Sequence, residues 1–395
     1  MAELLAPAGN LEKLRYAAKY GADAVYFGVK SFSLRSFARN FSLEDAEEGL
    51  RCLHADGKRG YCTLNIYPFA EEYDSLLDVA KNLDDLDVDG IIVADLGVLS
   101  MLRKSGIKAP LHISTQANTV SPQTVEVYRQ LGASRVNLAR ELSFERVAAL
   151  QKQVAGSGME TEVFVHGSVC FSYSGRCAIS DWLTGRRANR GECTHPCRWK
   201  YDLVEAKRPG EYLPVGEDAR GLYIFNSRDL ALFAHIERLA ALGIASFKIE
   251  GRMKSIHYVA SVVSFYRRVM DGWTPTEKEA LQLLGRVKNR GYTEGFMKGS
   301  VESGDYDFAN EKSTDGALFV GCVTEESIPE GCVVSVRNKI IGGETLEVLT
   351  PNGSVSEVVM PDVFDNRKEE LVAKATCREI ILPFELPPFS IIRKV

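Results

Sequence analysis

No stretch of this 395-residue chain approaches the ~20 consecutive apolar residues that a membrane-spanning helix needs. The opening residues, Met-Ala-Glu-Leu-Leu-Ala-Pro-Ala-Gly, lack a basic stretch followed by an apolar one, so no secretory signal is expected. Internal repeats and low-complexity tracts are also missing, which argues against a solenoid or a fibre. Positive charge is not in excess: 48 Lys and Arg face 53 Asp and Glu, a formal net charge of -5. Nucleic acid is therefore not held by bulk charge, and any RNA contact has to be regional. Two protease signatures are absent as well, His-Glu-x-x-His and Gly-x-Ser-x-Gly. These absences lead us to expect a cytoplasmic protein.

What is present is ordinary globular composition, 45% hydrophobic and 26% charged, in a chain long enough for one large domain and a smaller one. Nine cysteines are an odd number, so disulfides cannot pair them all, and in a reducing compartment thiols or metal ligands are the expected use.

From residue 3 to about 270, β-branched or aromatic runs alternate with amphipathic segments. The expected strands are Glu3 to Pro7, Ala24 to Gly28, Arg59 to Ile66, Gly90 to Ala94, Leu111 to Thr115, Arg135 to Ala139, Glu160 to His166 and Ala245 to Ile249. The expected helices include Leu11 to Lys19, Leu43 to His54, Tyr73 to Leu83, Ser121 to Leu131, Phe144 to Gln153 and Leu230 to Leu242. Eight strands joined by helices predict a (β/α)8 TIM-like barrel over residues 1–274, with its working groups on the loops at the carboxyl ends of the strands. One such loop, about 167–229, is far longer than an ordinary connection and holds clustered cysteines, which marks it as functional. A helical connector, with a helix over Lys278 to Val287, is expected across 275–315, followed by a turn-like run at residues 289–295. Alternating short strands with turn signals then predict a barrel-like all-β domain over 316–395.

Cys170, Cys177, Cys193 and Cys197 are separated by six, fifteen and three residues, among polar neighbours. Four soft thiolates in one segment suit an iron-sulfur cluster or a structural zinc. Zinc usually takes closer cysteine pairs, and a position at a barrel mouth favours redox work. The other five, Cys52, Cys62, Cys322, Cys332 and Cys377, sit alone in strand or helix patterns and read as small apolar core residues.

Polar residues at strand ends form the rest of the expected site. Lys248, Glu250 and Arg252 end the eighth strand and are the expected catalytic groups with His166, four residues before Cys170. A guanidinium there grips a dicarboxylate or an RNA phosphate bidentately, or else closes the barrel in an ion-pair network. His166 offers an acid or base, or a hydrogen bond to its neighbours. Asn65, His112, Gln116, Arg140 and Glu141 are expected substrate contacts, as are Arg186, Arg187 and Arg190. Those three arginines, with Arg198, Lys200, Trp182 and Trp199, form a basic and aromatic stretch suited to an RNA backbone and a splayed base.

The run Glu162, Phe164, Gly167, Ser168, Val169, Cys170, Gly175, Cys177 and Ser180 carries the signature of the U32 family, a group long classed as peptidases. Further matches are the opening Glu3-Leu4-Leu5-Ala6-Pro7-Ala8-Gly9, Ala139-Arg140-Glu141-Leu142 and Lys248-Ile249-Glu250-Gly251-Arg252, so the resemblance spans essentially the whole chain. Within the family the finer likeness, through Asn226-Ser227-Arg228-Asp229-Leu230 and Cys193-Thr194-His195-Pro196-Cys197-Arg198-Trp199, is to members that form 5-hydroxyuridine at the wobble position of tRNA. That resemblance implies oxygen-independent tRNA hydroxylation, a 4Fe-4S cluster, and prephenate as the small-molecule hydroxyl donor. Other members act on ribosomal RNA or quinone precursors, and a collagenase-like peptidase is the rival enzyme reading. A non-catalytic RNA-binding protein with structural zinc is the rival outside enzymes.

Overall fold

The computed structural model describes residues 2–34, 40–170, 172, 177, 179–198, 203–204, 212–213, 216–218, 221–223, 227–300, 305, 314, 316–329, 331–361 and 379–395. They fall into two compact units, residues 1–18, 22–254 and 290–313 in the first and residues 19–21, 255–289 and 314–395 in the second.

The first unit is a closed barrel of eight parallel strands. β1 (Glu3–Pro7), β2 (Ala24–Phe27), β3 (Arg59–Leu64), β4 (Gly90–Val93), β5 (Leu111–Ile113), β6 (Arg135–Asn137) and β7 (Glu160–Ser168) are neighbours in chain order. The strand Ser246–Ile249 pairs with both β7 and β1 and closes the ring. β1, β2 and β4 are buried at every position, the pattern of a parallel sheet covered on both faces. Helices start where the sequence supplies a cap. Ser42, Asp95, Ser121 and Ser143 each accept, through the side chain, the backbone N–H of the third residue of the helix that follows. No helix among the described residues is long and apolar enough to cross a membrane.

β7 outruns the barrel. Its register against the closing strand shifts between Lys248 and Ile249, and its tip pairs antiparallel with Asp229–Ala231, with Asp229 opposite Ser168. That short strand in turn pairs parallel with Tyr292–Thr293. Two expectations are corrected here. The helix expected over Leu230 to Leu242 begins as this strand and becomes helical only at Ile236–Ala241, after the single turn Phe233–His235. The turn-like run at residues 289–295 contains a strand. Strand edges account for both, because the β7 tip pairs with Asp229–Ala231 and that strand in turn pairs with Tyr292–Thr293, offering backbone partners that local helix preference does not weigh.

In the second unit the helices Ile256–Met270 and Glu277–Leu284 accompany a six-stranded antiparallel sheet built from Leu318–Ile328, Gly331–Val336, Thr345–Leu349, Val355–Val359, Glu379–Leu382 and Ile391–Lys394. Its core includes Val320, Val334, Val348, Ile380 and Ile392. Arg393, 2% exposed, donates from Nε to Glu347 at 2.5 Å and from Nη1 to Ser261 Oγ at 3.0 Å. These bonds explain why Ile256–Met270 groups with the sheet, not with the residues of 1–274, and the Tyr292–Thr293 strand explains why 290–313 groups with the barrel.

Candidate functional site

A recess of ≈ 470 Å³, counting its open mouth, lies at the carboxyl ends of the barrel strands. It brings together six of the expected residues: Asn65 after β3, Gln116 after β5, Arg140 after β6, and Lys248, Glu250 and Arg252 on and after the closing strand. Arg252, 4% exposed, donates from Nη1 to Ser33 Oγ (2.7 Å) and Thr63 Oγ1 (3.0 Å), and from Nη2 to Asn40 Oδ1 (2.5 Å). Its place depends on Gly28, where an added Cβ would lie 2.3 Å from Nη2. Arg140 lies 3.9 Å above the Phe164 ring and donates to the Ser168 carbonyl at 2.8 Å. Asn65 accepts from the Leu34 amide and donates to Ser114 Oγ, both at 3.3 Å. Tyr26 donates to the Ile249 carbonyl at 3.0 Å and lies 3.4 Å from Glu250 Oε2.

Beneath the recess the barrel interior is polar. Lys248 Nζ donates to Glu162 Oε1 at 2.8 Å, the same oxygen that accepts from Asn137 Nδ2 at 2.6 Å. Arg135, 3% exposed, bridges Glu3 at 2.7 Å and Glu162 at 3.6 Å. Burial pushes the Glu162 carboxyl up, but Lys248 and Arg135 outweigh it and hold the group below the usual carboxylate range. His112 belongs to this layer and does not line the recess. Burial, then the charge of Arg135, pushes its imidazole down to about 3, so it is neutral at ordinary pH. Sequence reasoning missed Glu3 and Arg135 as part of the site, although ionisable residues inside runs expected to be buried strands were the signal.

His166 is elsewhere. It is 1% exposed, its ring 5.5 Å from that of Tyr292, and it does not line the recess. Burial pushes it down to about 3, and the nearby Asp229 carboxylate only partly offsets this. A neutral imidazole of that kind is not a general acid near neutrality. Glu141 also lies outside the recess lining.

Arg190 proves to be a brace. It donates to the Tyr67 carbonyl at 3.2 Å, pairs with both oxygens of Glu72, and lies 4.5 Å over the Phe69 ring. Arg186 and Arg187 are exposed, Arg187 standing 5.3 Å over the same ring, and Trp182 is 81% exposed. The side chain of Arg198, and Trp199 and Lys200 entirely, lie outside the described residues.

Cys170 is exposed and Cys177, Cys193 and Cys197 are half-buried. Ser180 ties the two halves of the segment, its Oγ accepting from the Thr194 amide at 3.2 Å. The donor chemistry fits a thiolate-ligated metal, yet among the described residues no three Cys, His, Asp or Glu side chains gather round one point. Cys62, Cys322 and Cys332 are buried, as the core reading expected, and burial pushes the Cys62 thiol up to about 12. Cys52 is only half-buried, and Cys377 lies outside the described residues.

Two family models match the chain, peptidase family U32 over residues 9–306 and the peptidase family U32 C-terminal domain over residues 315–393. The tRNA hydroxylation protein P1 of Bacillus subtilis is 36% identical, over 99% of this chain and 94% of its own. A 23S rRNA 5-hydroxycytidine synthase of Escherichia coli is 30% identical over 98% of this chain and 57% of its own. A collagenase of Porphyromonas gingivalis is 30% identical over 75% of this chain and 73% of its own. With both of its parts matched and relatives aligned along nearly its full length, the chain belongs to peptidase family U32.

Proposed function

We propose that this chain hydroxylates tRNA, forming 5-hydroxyuridine at the wobble position without oxygen, with prephenate as the small-molecule hydroxyl donor. The observation that carries this reading is the recess, a small pocket lined by three cations, Arg140, Lys248 and Arg252, and one acid, Glu250. Such a lining suits a compact anion. The names of the Bacillus and Escherichia relatives, a tRNA hydroxylation protein and an rRNA 5-hydroxycytidine synthase, support the choice of substrate. Cys170, Cys177, Cys193 and Cys197 would hold a 4Fe-4S cluster, which supplies electron transfer when bound. Arg252, fixed by Ser33, Thr63 and Asn40, orients the anion. Arg186, Arg187 and Trp182, all exposed, are the residues we assign to contact with the RNA.

The peptidase reading fares worse on geometry. Cys170 is exposed and makes no hydrogen bond to the buried His166, so the pair is not assembled as nucleophile and base.

Anaerobic purification with visible absorption, iron and acid-labile sulfide analysis, for the wild type and Cys193→Ala, tests the cluster. A broad visible band with iron and sulfide, lost in the variant, is expected. Colourless protein without iron after reconstitution refutes it. Nucleoside analysis of tRNA incubated with reconstituted protein, prephenate and a reductant should show 5-hydroxyuridine, and its absence from that mixture refutes the substrate.

A further inference from the structure

The interior of a (β/α)8 barrel is ordinarily filled by layers of branched apolar side chains. Here a row of alternating charges runs through it instead. Arg59 lies 2.6 Å from Glu3, Glu3 2.7 Å from Arg135, Arg135 3.6 Å from Glu162, and Glu162 2.8 Å from Lys248. All but Arg59 are at most 4% exposed. Arg135 also pairs with the half-exposed Glu160 at 2.6 Å, and Lys248 is the only member of the row that lines the recess.

We infer that Lys248 is the anion contact on the floor of the recess, taking a carboxylate of the small-molecule donor, and that Glu162 is the positioning residue that keeps Lys248 charged and aimed. The inference rests on the recess being the donor site. An ammonium buried without a counter-ion gives up its proton, and a neutral amine no longer attracts a carboxylate. Glu162 prevents that, and it cannot itself touch a ligand, because it does not line the recess. Its orientation is fixed by Asn137, which donates to the oxygen that Lys248 also uses. Arg135 in turn keeps Glu162 ionised from below. Around Lys248 also stand the Tyr26 ring at 4.5 Å, the Phe164 ring at 5.6 Å, His112 in its neutral form and Glu250, which Tyr26 contacts at 3.4 Å, while the cations Arg140 and Arg252 line the same recess. None of these is a nearer counter-ion than Glu162.

The test is acetylation of Lys248 at neutral pH in wild type and variant, read by mass spectrometry, together with prephenate binding by calorimetry on the full chain. Glu162→Gln keeps the size and the acceptor oxygen but removes the charge. It should raise Lys248 acetylation at neutral pH by about tenfold or more, because the ammonium loses its ion-pair partner. It should also weaken prephenate binding by at least about 30-fold, the low end for losing one member of a buried charge pair. Unchanged labelling and unchanged binding in that variant overturn the role of Glu162. If Glu162→Gln does not fold, Glu162→Gln/Lys248→Met removes both charges together. Binding of prephenate by that double variant as tightly as by the wild type overturns the role of Lys248. Should the wild type not bind prephenate at all, the donor assignment fails, while the difference in Lys248 labelling between wild type and Glu162→Gln still decides whether Glu162 holds Lys248.

Discussion

Replacing Arg135 by methionine takes a guanidinium out of the middle of the barrel while keeping much of its volume. Breaking a buried ion pair by removing one partner costs about 3–5 kcal/mol, because the other charge is left behind uncompensated. Here neither deserted acid is wholly alone. Glu3 keeps Arg59 at 2.6 Å and the Tyr61 hydroxyl at 2.7 Å, and Glu162 keeps Lys248 at 2.8 Å. Glu160, the third partner, is half exposed and loses little. The expected loss is therefore at the low end, about 3 kcal/mol. For a unit of this size that corresponds to a fall in Tm of roughly 6–12 °C, measured by calorimetry with circular dichroism as a second probe. The pH dependence fixes the cause. Glu162 has a folded pKa below its unfolded value, so its contribution is present above about pH 4.3 and is lost as pH falls through the folded pKa. The gap between wild type and Arg135→Met should narrow as pH drops below ~4. A loss under about 1 kcal/mol, or a gap that stays constant from about pH 8 to 3, refutes the assignment of Arg135 as the counter-ion of these buried acids.

Three further outcomes are expected. The ring signals of His112, His166 and His257, each pushed down to about 3 mainly by burial, should not titrate between about pH 5 and 8 in NMR spectra. Unfolded histidine takes up a proton near ~6.5, so the stability gained by keeping these rings neutral is lost as pH falls below that value. Gly28→Ala places a methyl group against the Arg252 guanidinium and should weaken prephenate binding several-fold; unchanged affinity would show that Arg252 is not an anion contact. Trp182→Ala should lower tRNA affinity by about 5- to 150-fold, the range for one stacked base, with Tm unchanged, since the side chain is 81% exposed. Equal affinity in a filter-binding assay would remove Trp182 from the RNA surface.

The barrel was legible in the sequence because period and punctuation agreed: β1 and the helix Leu11–Lys19 have the same boundaries in both readings, and the other barrel strands differ by a few residues at their ends. The mouth residues were legible because a strand end is a defined place, which is how Asn65, Gln116, Arg140, Lys248, Glu250 and Arg252 came to be named together. Tertiary capture was not legible. Asp229–Ala231 looks like the start of a helix until the tip of β7 is present to pair with it. Arg190 reads as part of a basic patch until Glu72, distant in sequence, binds it. His112 and His166 read as site groups because polarity at a strand end says nothing of which way a ring faces. Arg135 and Glu3 were overlooked for a related reason: each is unremarked alone, and only the closed ring sets them 2.7 Å apart.

Because Asp229 faces Ser168 across an antiparallel ladder, the chain returns to the barrel at the place where it left. Topologically the long cysteine-bearing segment is the inflated turn of a hairpin. The entropy of closing so long a loop rises only slowly with its length, and backbone bonds at its neck help to offset it. Two parts of the protein are thereby free to vary on different terms: the barrel answers to packing and register, while the excursion can lengthen or shorten without moving a strand.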